Sequence, residues 1–119
     1  MKRIFKTIAF ASLLFLASCG NNPEKSRNFY DKGMDYLYCS QFEEAIENFD
    51  KAIKYNDQNH EAYFYRGCAK YNTFQKESAL QDYLKTIELN PDYLQAYFNI
   101  GLYYRSINDY DMACYYFKI

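Results

Sequence analysis

Gly33, Gly67 and Gly101 stand 34 residues apart, and Ala45, Ala79 and Ala113 keep the same interval. Three aromatic columns run in step with them: Phe29, Tyr63 and Tyr97; Tyr30, Phe64 and Phe98; Phe49, Tyr83 and Phe117. Columns that share one period divide the chain into units 26–59, 60–93 and an incomplete 94–119. A unit of that length cannot bury its apolar face alone, so successive units must stack. Within a unit the apolar residues recur at three and four positions, as Ala45, Ile46, Phe49, Ala52 and Ile53 do, and that spacing predicts helix. The expected helices are 26–39, 42–55, 60–72, 75–89, 94–107 and 110 to the end. Asn72-Thr73 and Asn108-Asp109 supply turns within units. Asn90-Pro91-Asp92 separates units, because Pro lacks the donor that a continuing helix needs. With 4 Gly and 2 Pro in 119 residues, little interrupts such helices, and 15 Tyr with 10 Phe supply their packing. The fold class is all-α.

The order of the columns resembles the tetratricopeptide repeat, a helix–turn–helix unit with an aromatic, a Gly, a second aromatic, an Ala, another aromatic, an Ala and often a Pro. The first unit carries Phe29, Gly33, Tyr36, Ala45, Phe49 and Ala52, with Asp57 in the Pro slot. The second carries Tyr63, Gly67, Ala79, Tyr83 and Pro91, with Lys70 and Thr86 replacing an aromatic and an Ala. The third carries Tyr97, Gly101, Tyr104, Ala113 and Phe117 before the chain stops. The resemblance covers residues 26–119 and implies a superhelix of two and a half to three repeats. Gly and Ala are expected where the two helices of a hairpin cross, with the aromatic columns filling the space beside them. Two expectations attach to the last unit, which lacks a polar closing helix: an edge that docks a partner or a second copy, or a truncated piece of a longer array.

The start of the chain reads as an address. Met1-Lys2-Arg3-Ile4-Phe5-Lys6 is basic, and the twelve residues from Thr7 to Ser18 are uncharged and apolar, too short for a comfortable membrane span of about 20 residues. Leu16-Ala17-Ser18-Cys19 resembles the bacterial lipoprotein cleavage box, in which the thiol accepts a diacylglyceryl group and the small residues before it admit the peptidase. The expected division is a signal peptide at 1–18, a lipidated Cys19 with a short linker at 19–25, and a repeat domain at 26–119. Two or three acyl chains at about 0.8 kcal/mol per buried methylene hold a domain on a bilayer almost permanently. Gly20 stands where Asp would resemble the inner-membrane retention signal, so the outer membrane, facing the periplasm, is the expected site. Cleavage removes three of the 14 basic residues and none of the 15 acidic ones, leaving a formal charge of −4.

Charge and residue types narrow the function. A formal −1 excludes a globally basic nucleic-acid binder. His60, the single histidine, has no Cys or Ser at a spacing that suggests a dyad, and the cysteines do not cluster, so no enzyme, metal site or cofactor is expected. Glu43, Glu44 and Glu47 sit at a helix start, where carboxylates favour the dipole. By the family resemblance the first helix of each unit lines a concave face. By register that face holds Arg27, Tyr30, Met34, Leu37 and Tyr38; Glu61, Phe64, Cys68, Tyr71 and Asn72; and Gln95, Phe98, Leu102 and Arg105. Tyr30, Phe64 and Phe98 are expected as an exposed ring ladder for a peptide or helix of another envelope protein, with Asn72, Gln95 and Asn99 meeting its backbone and Arg27 or Arg105 an acidic residue. Repeats that clamp the acidic C-termini of chaperones carry Lys, Asn and Arg where this chain has Tyr30, Met34, Tyr65, Gln95 and Asn99, which does not support a carboxylate clamp. A second expectation is an envelope glycan stacked on the rings. Cys39, Cys68 and Cys114 differ in repeat register and are expected to stay reduced.

Overall fold

The computed structural model describes residues 20–119; the signal segment and Cys19 lie outside the described residues. Six helices follow one another: α1 Pro23–Tyr38, α2 Phe42–Tyr55, α3 His60–Asn72, α4 Lys76–Leu89, α5 Leu94–Ser106 and α6 Tyr110–Phe117. No strand occurs among the described residues, and no helix there is long and apolar enough to cross a membrane. Each helix packs on the next, pairing α1 with α2, α3 with α4 and α5 with α6 as hairpins, and the hairpins stack through α2–α3 and α4–α5.

The glycine column sets the spacing within each hairpin. A Cβ added at Gly33 would lie 2.6 Å from the Phe49 ring, at Gly67 2.7 Å from the Tyr83 ring, and at Gly101 2.5 Å from the Phe117 ring. One aromatic column therefore sits directly over the glycine column, a closer approach than any side chain allows. Ala45 and Ala79 beside it are fully buried, and Ala113 nearly so. Two core clusters result. One joins Ala45, Phe49 and Ala52 of the first hairpin to Ala62 and Ala69 of α3; the other joins Phe64, Ala79, Leu80 and Tyr83 to Ala96, Ile100 and Tyr103 of α5.

The turns repeat with the same period. Ser40, Phe74 and Asn108 all adopt positive φ, at 57°, 63° and 62°. The following residue in each case, Gln41, Gln75 or Asp109, returns its N–H to the carbonyl of Tyr36, Lys70 or Tyr104 at 2.9 Å. This left-handed closure satisfies orphan carbonyls at the ends of α1, α3 and α5. Phe74 is the unusual member, an 89 % exposed ring in a conformation that burdens any residue with a Cβ.

A helix-crossing hydrogen bond explains the departure at Thr86. In the first hairpin the buried Ser26 hydroxyl donates to the Ala52 carbonyl at 2.8 Å. In the second the hydroxyl has moved to the opposite helix, where Thr86 donates to the carbonyl of His60 at 3.4 Å and to that of Asp82 at 2.8 Å. Most boundaries fall within a residue or two of expectation, and the largest difference is at α1, which begins at Pro23, three residues early, because Asn22 caps it by accepting from the Lys25 N–H at 2.9 Å and Pro tolerates the first helical position. The first and second hairpins are also joined by charge. Arg66 of α3 holds Asp82 of α4 through Nε at 2.9 Å and Nη2 at 2.7 Å, and reaches Asp50 of α2 at 2.8 Å through Nη1, while Lys70 meets Asp82 at 3.1 Å. Burial opposes the Arg66 charge, and the two carboxylates more than offset it, raising its pKa above the usual value.

Gly67→Ala, a change that favours an unconstrained helix by about 1 kcal/mol, is expected here to destabilise the chain by about 1–3 kcal/mol in urea titration, because the Tyr83 ring, 2 % exposed, has nowhere to retreat. Phe74→Gly is expected to do the reverse, stabilising by about 1 kcal/mol and raising the melting temperature by a few degrees in a calorimetric scan.

Candidate functional site: a cavity between the first helices of adjacent hairpins

The face formed by α1, α3 and α5 carries the residues expected to bind a ligand, and the structure divides them. Cys68, Tyr71 and Asn72 of α3 come together with Asn99 and Leu102 of α5 around an open cavity of about 150 Å³, with Tyr83 of α4 also in its wall. The spacing of Cys68, Tyr71 and Asn72 places all three on one side of α3 over a single turn. Asn72 Nδ2 donates to the Cys68 carbonyl at 2.8 Å, and Asn99 Nδ2 reaches Cys68 Sγ at 3.6 Å, tying α5 to α3 across the cavity. The Lys76 ammonium lies 5.4 Å from the centre of the Tyr71 ring.

The walls are uncharged at neutral pH. Burial pushes the Cys68 thiol up to about 11, against the opposing influence of Tyr83 and Asn99 beside it. Burial, reinforced by the adjoining Cys68, likewise raises the Tyr83 hydroxyl above its ordinary range. The cavity is thus an apolar recess edged by two amides, suited to holding a side chain. Cys68 and His60 are eight residues apart on one helix, and the His60 ring is engaged elsewhere, with Nε2 3.2 Å from Asn90 Nδ2 and the Tyr93 ring edge-on at 5.3 Å. No group of three or more His, Cys, Asp or Glu stands close enough to hold a metal among the described residues.

The ring ladder is not formed, and this corrects the expectation for Phe64. Its ring is 7 % exposed, enclosed by Tyr93 at 5.0 Å, Tyr65 at 5.1 Å and Tyr83 at 5.7 Å. The cause is Tyr93, which leads into α5 and folds over Phe64; the equivalent residue in the first unit, Asn59, instead caps α3 through the Ala62 N–H. Tyr30 is half-buried against Phe49 and Tyr65, at 6.0 and 6.2 Å. Its hydroxyl is raised by burial and then by the neighbouring Glu61 carboxylate. Phe98 is 56 % exposed but leans on Phe117 at 5.6 Å, in a separate cleft with Leu94, Tyr97, Tyr116 and Ile119.

The remaining expected residues are dispersed. Met34 and Leu37 pack on the first core cluster, and Tyr38 projects into solvent at the end of α1. Arg27 pairs with Asp31 at 3.6 Å on an exposed face. Gln95 and Arg105 are exposed at the two ends of α5 and do not line the cavity. By its column Tyr83 is a hairpin ring, and the structure adds it to the cavity wall. Its signal was present all the same: the column reads Phe49, Tyr83, Phe117, and only the middle member adds a hydroxyl, the one that reaches Cys68. Of the three described cysteines, none disulfide-bonded, Cys39 and Cys114 are exposed and Cys68 is half-buried.

Models of the tetratricopeptide repeat match residues 33–73, 60–93 and 82–115. No curated protein sequence matches the chain significantly. Among solved structures, MamA aligns with 28 % identity and a TM-score of 0.77 over 82 % of this chain, which spans only 57 % of that protein's chain, and 51 % of a second MamA structure. The tetratricopeptide domain of Arabidopsis OM64 aligns with 26 % identity and a TM-score of 0.79 over 82 % of this chain and 81 % of its own. The first such domain of Spaghetti (RPAP3), bound to the HSP90 peptide SRMEEVD, shares the fold at 20 % identity, with a TM-score of 0.79 over 83 % of this chain and 79 % of its own.

A thiol with a pKa near 11 is barely ionised at pH 8. Mass-spectrometric timing of iodoacetamide labelling is therefore expected to show Cys39 and Cys114 modified at least about ten-fold faster than Cys68, with denaturant abolishing the difference.

Proposed function

Because residues 33–115 consist of tetratricopeptide repeats, we propose that the chain is an interaction adaptor of the bacterial cell envelope, tethered to a membrane through lipid on Cys19, that holds a segment of another protein against α3 and α5. The observation that carries the interaction reading is the cavity bounded by Cys68, Tyr71, Asn72, Asn99 and Leu102, which offers one apolar recess with polar groups at its edge. The same architecture holds a peptide in the Spaghetti domain, so such a fold accommodates a peptide segment; the residues that would choose the segment are this chain's own. Tethering rests on the sequence of Lys2 to Cys19, and an outer-membrane position on Gly20. Association of two copies through the exposed rings of α5 and α6 belongs to the same reading. The glycan alternative is weakened, since burial of Phe64 removes the middle of its stacking platform.

Two measurements test the proposal. Metabolic labelling with radioactive palmitate in a bacterial host is expected to mark the wild-type chain and not Cys19→Ala; an unlabelled wild type overturns the tether. A photo-crosslinking amino acid at Asn72 is expected to give one discrete adduct in the native membrane, abolished by Leu102→Lys, while the same group at the exposed Glu88 of α4 gives none. Equal capture from both positions overturns the assignment of the working face.

A further inference from the structure

The structure narrows the class of segment that the cavity would accept. A cavity of 150 Å³ admits a group about as large as benzene, hence one medium-sized apolar side chain and not the broad face of a helix. The recess is lined by Leu102, Tyr71 and the neutral Cys68 and Tyr83, which favour an aliphatic occupant over a charged one. Asn72 and Asn99 each give an N–H to Cys68 and retain an amide Oδ1 as acceptor. An extended segment presents N–H donors at its flanks, whereas a helix has already used them internally.

Charge supplies the second half of the motif. Glu61 lies on the same side of α3 as Cys68, two turns toward the N-terminus, and is exposed. It makes no ion pair among the described residues: Arg27, in the same register one unit earlier, is taken by Asp31. Seven residues of helix separate Glu61 from Cys68 by roughly 10 Å, and an extended ligand in the polyproline II form advances about 3.1 Å per residue and returns every third side chain to the same face. A basic side chain would meet Glu61 if it stood three positions from the residue in the cavity.

Resting on the adaptor reading above, we infer that the partner is an extended peptide segment with an aliphatic anchor, Leu, Ile or Met, in the Cys68–Leu102 cavity and a Lys or Arg three residues away at Glu61. The test uses the full chain in detergent, immobilised, with a positional library of acetylated and amidated heptapeptides. The expected result is enrichment of an aliphatic residue at one position and of Lys or Arg three positions from it. Glu61→Gln is expected to reduce the basic preference five-fold or more and leave the aliphatic one. Leu102→Ala enlarges the recess and is expected to move the anchor preference from Leu toward Phe, a change in selectivity that general loosening of the fold would not produce; circular dichroism melts verify that both variants fold. Bound peptides without the three-residue pattern, an acidic preference opposite Glu61, or preferences that neither variant moves would overturn this inference and leave the adaptor reading intact. Retention of no peptide at all would overturn the reading on which it rests.

Discussion

Each hairpin in this chain closes on one contact, an aromatic ring of the second helix lying against a position of the first that has no side chain. Gly33 under Phe49, Gly67 under Tyr83 and Gly101 under Phe117 bring the helices nearer than ordinary packing permits. The alanine column beside them completes the crossing. Glycine inside a helix is unfavourable by about 1 kcal/mol against alanine, so its use at three equivalent places shows that close approach outweighs local propensity. The recess between α3 and α5 depends on this contact, because Tyr83 both covers Gly67 and forms part of the cavity wall. The ring that closes the second hairpin also shapes its binding surface.

The fold was legible because its signals are periodic and local. The glycine, alanine and ring columns, together with the three- and four-residue apolar spacing, located six helices to within a few residues. The start of α1 falls inside the expected linker, because an Asn cap before a Pro at the first helical position is a start signal that the polar residues around it obscure. The site was legible only in part. Cys68, Tyr71 and Asn72 were found by register, but register says which side of a helix a residue occupies and not what neighbouring elements place above it. Tyr93 covers Phe64 from a connection between units, and nothing in the columns announces a residue that folds back over the helix face. The ion-pair group of Arg66, Asp50 and Asp82 was hidden for a related reason, since its members lie sixteen residues apart on three helices.

The repeats are not equivalent, and the differences fall where chemistry enters a common plan. Ser26 and Thr86 exchange the helix that supplies a buried hydroxyl, so an apparent departure from the repeat pattern preserves the same crossing bond. Asn59 and Tyr93 exchange a helix cap for a ring, which leaves Tyr30 half-open and encloses Phe64. Substitutions of this kind alter a surface without disturbing the stack beneath it, which allows one scaffold to carry unrelated binding preferences.

The ionic connection around Arg66 has a mechanical consequence. The guanidinium is forked onto Asp82 within the second hairpin and spends its remaining arm on Asp50, so a single directional bond ties it to the first hairpin. One period later the corresponding positions are Ile100, Tyr116 and Leu84, whose contacts are apolar and indifferent to small sliding. The first junction therefore carries an ionic tie that the second lacks, and the recess lies across the second. Any sliding of α5 along α4 would alter the gape of that opening, with the Asn99–Cys68 contact as a polar strut between its two jaws.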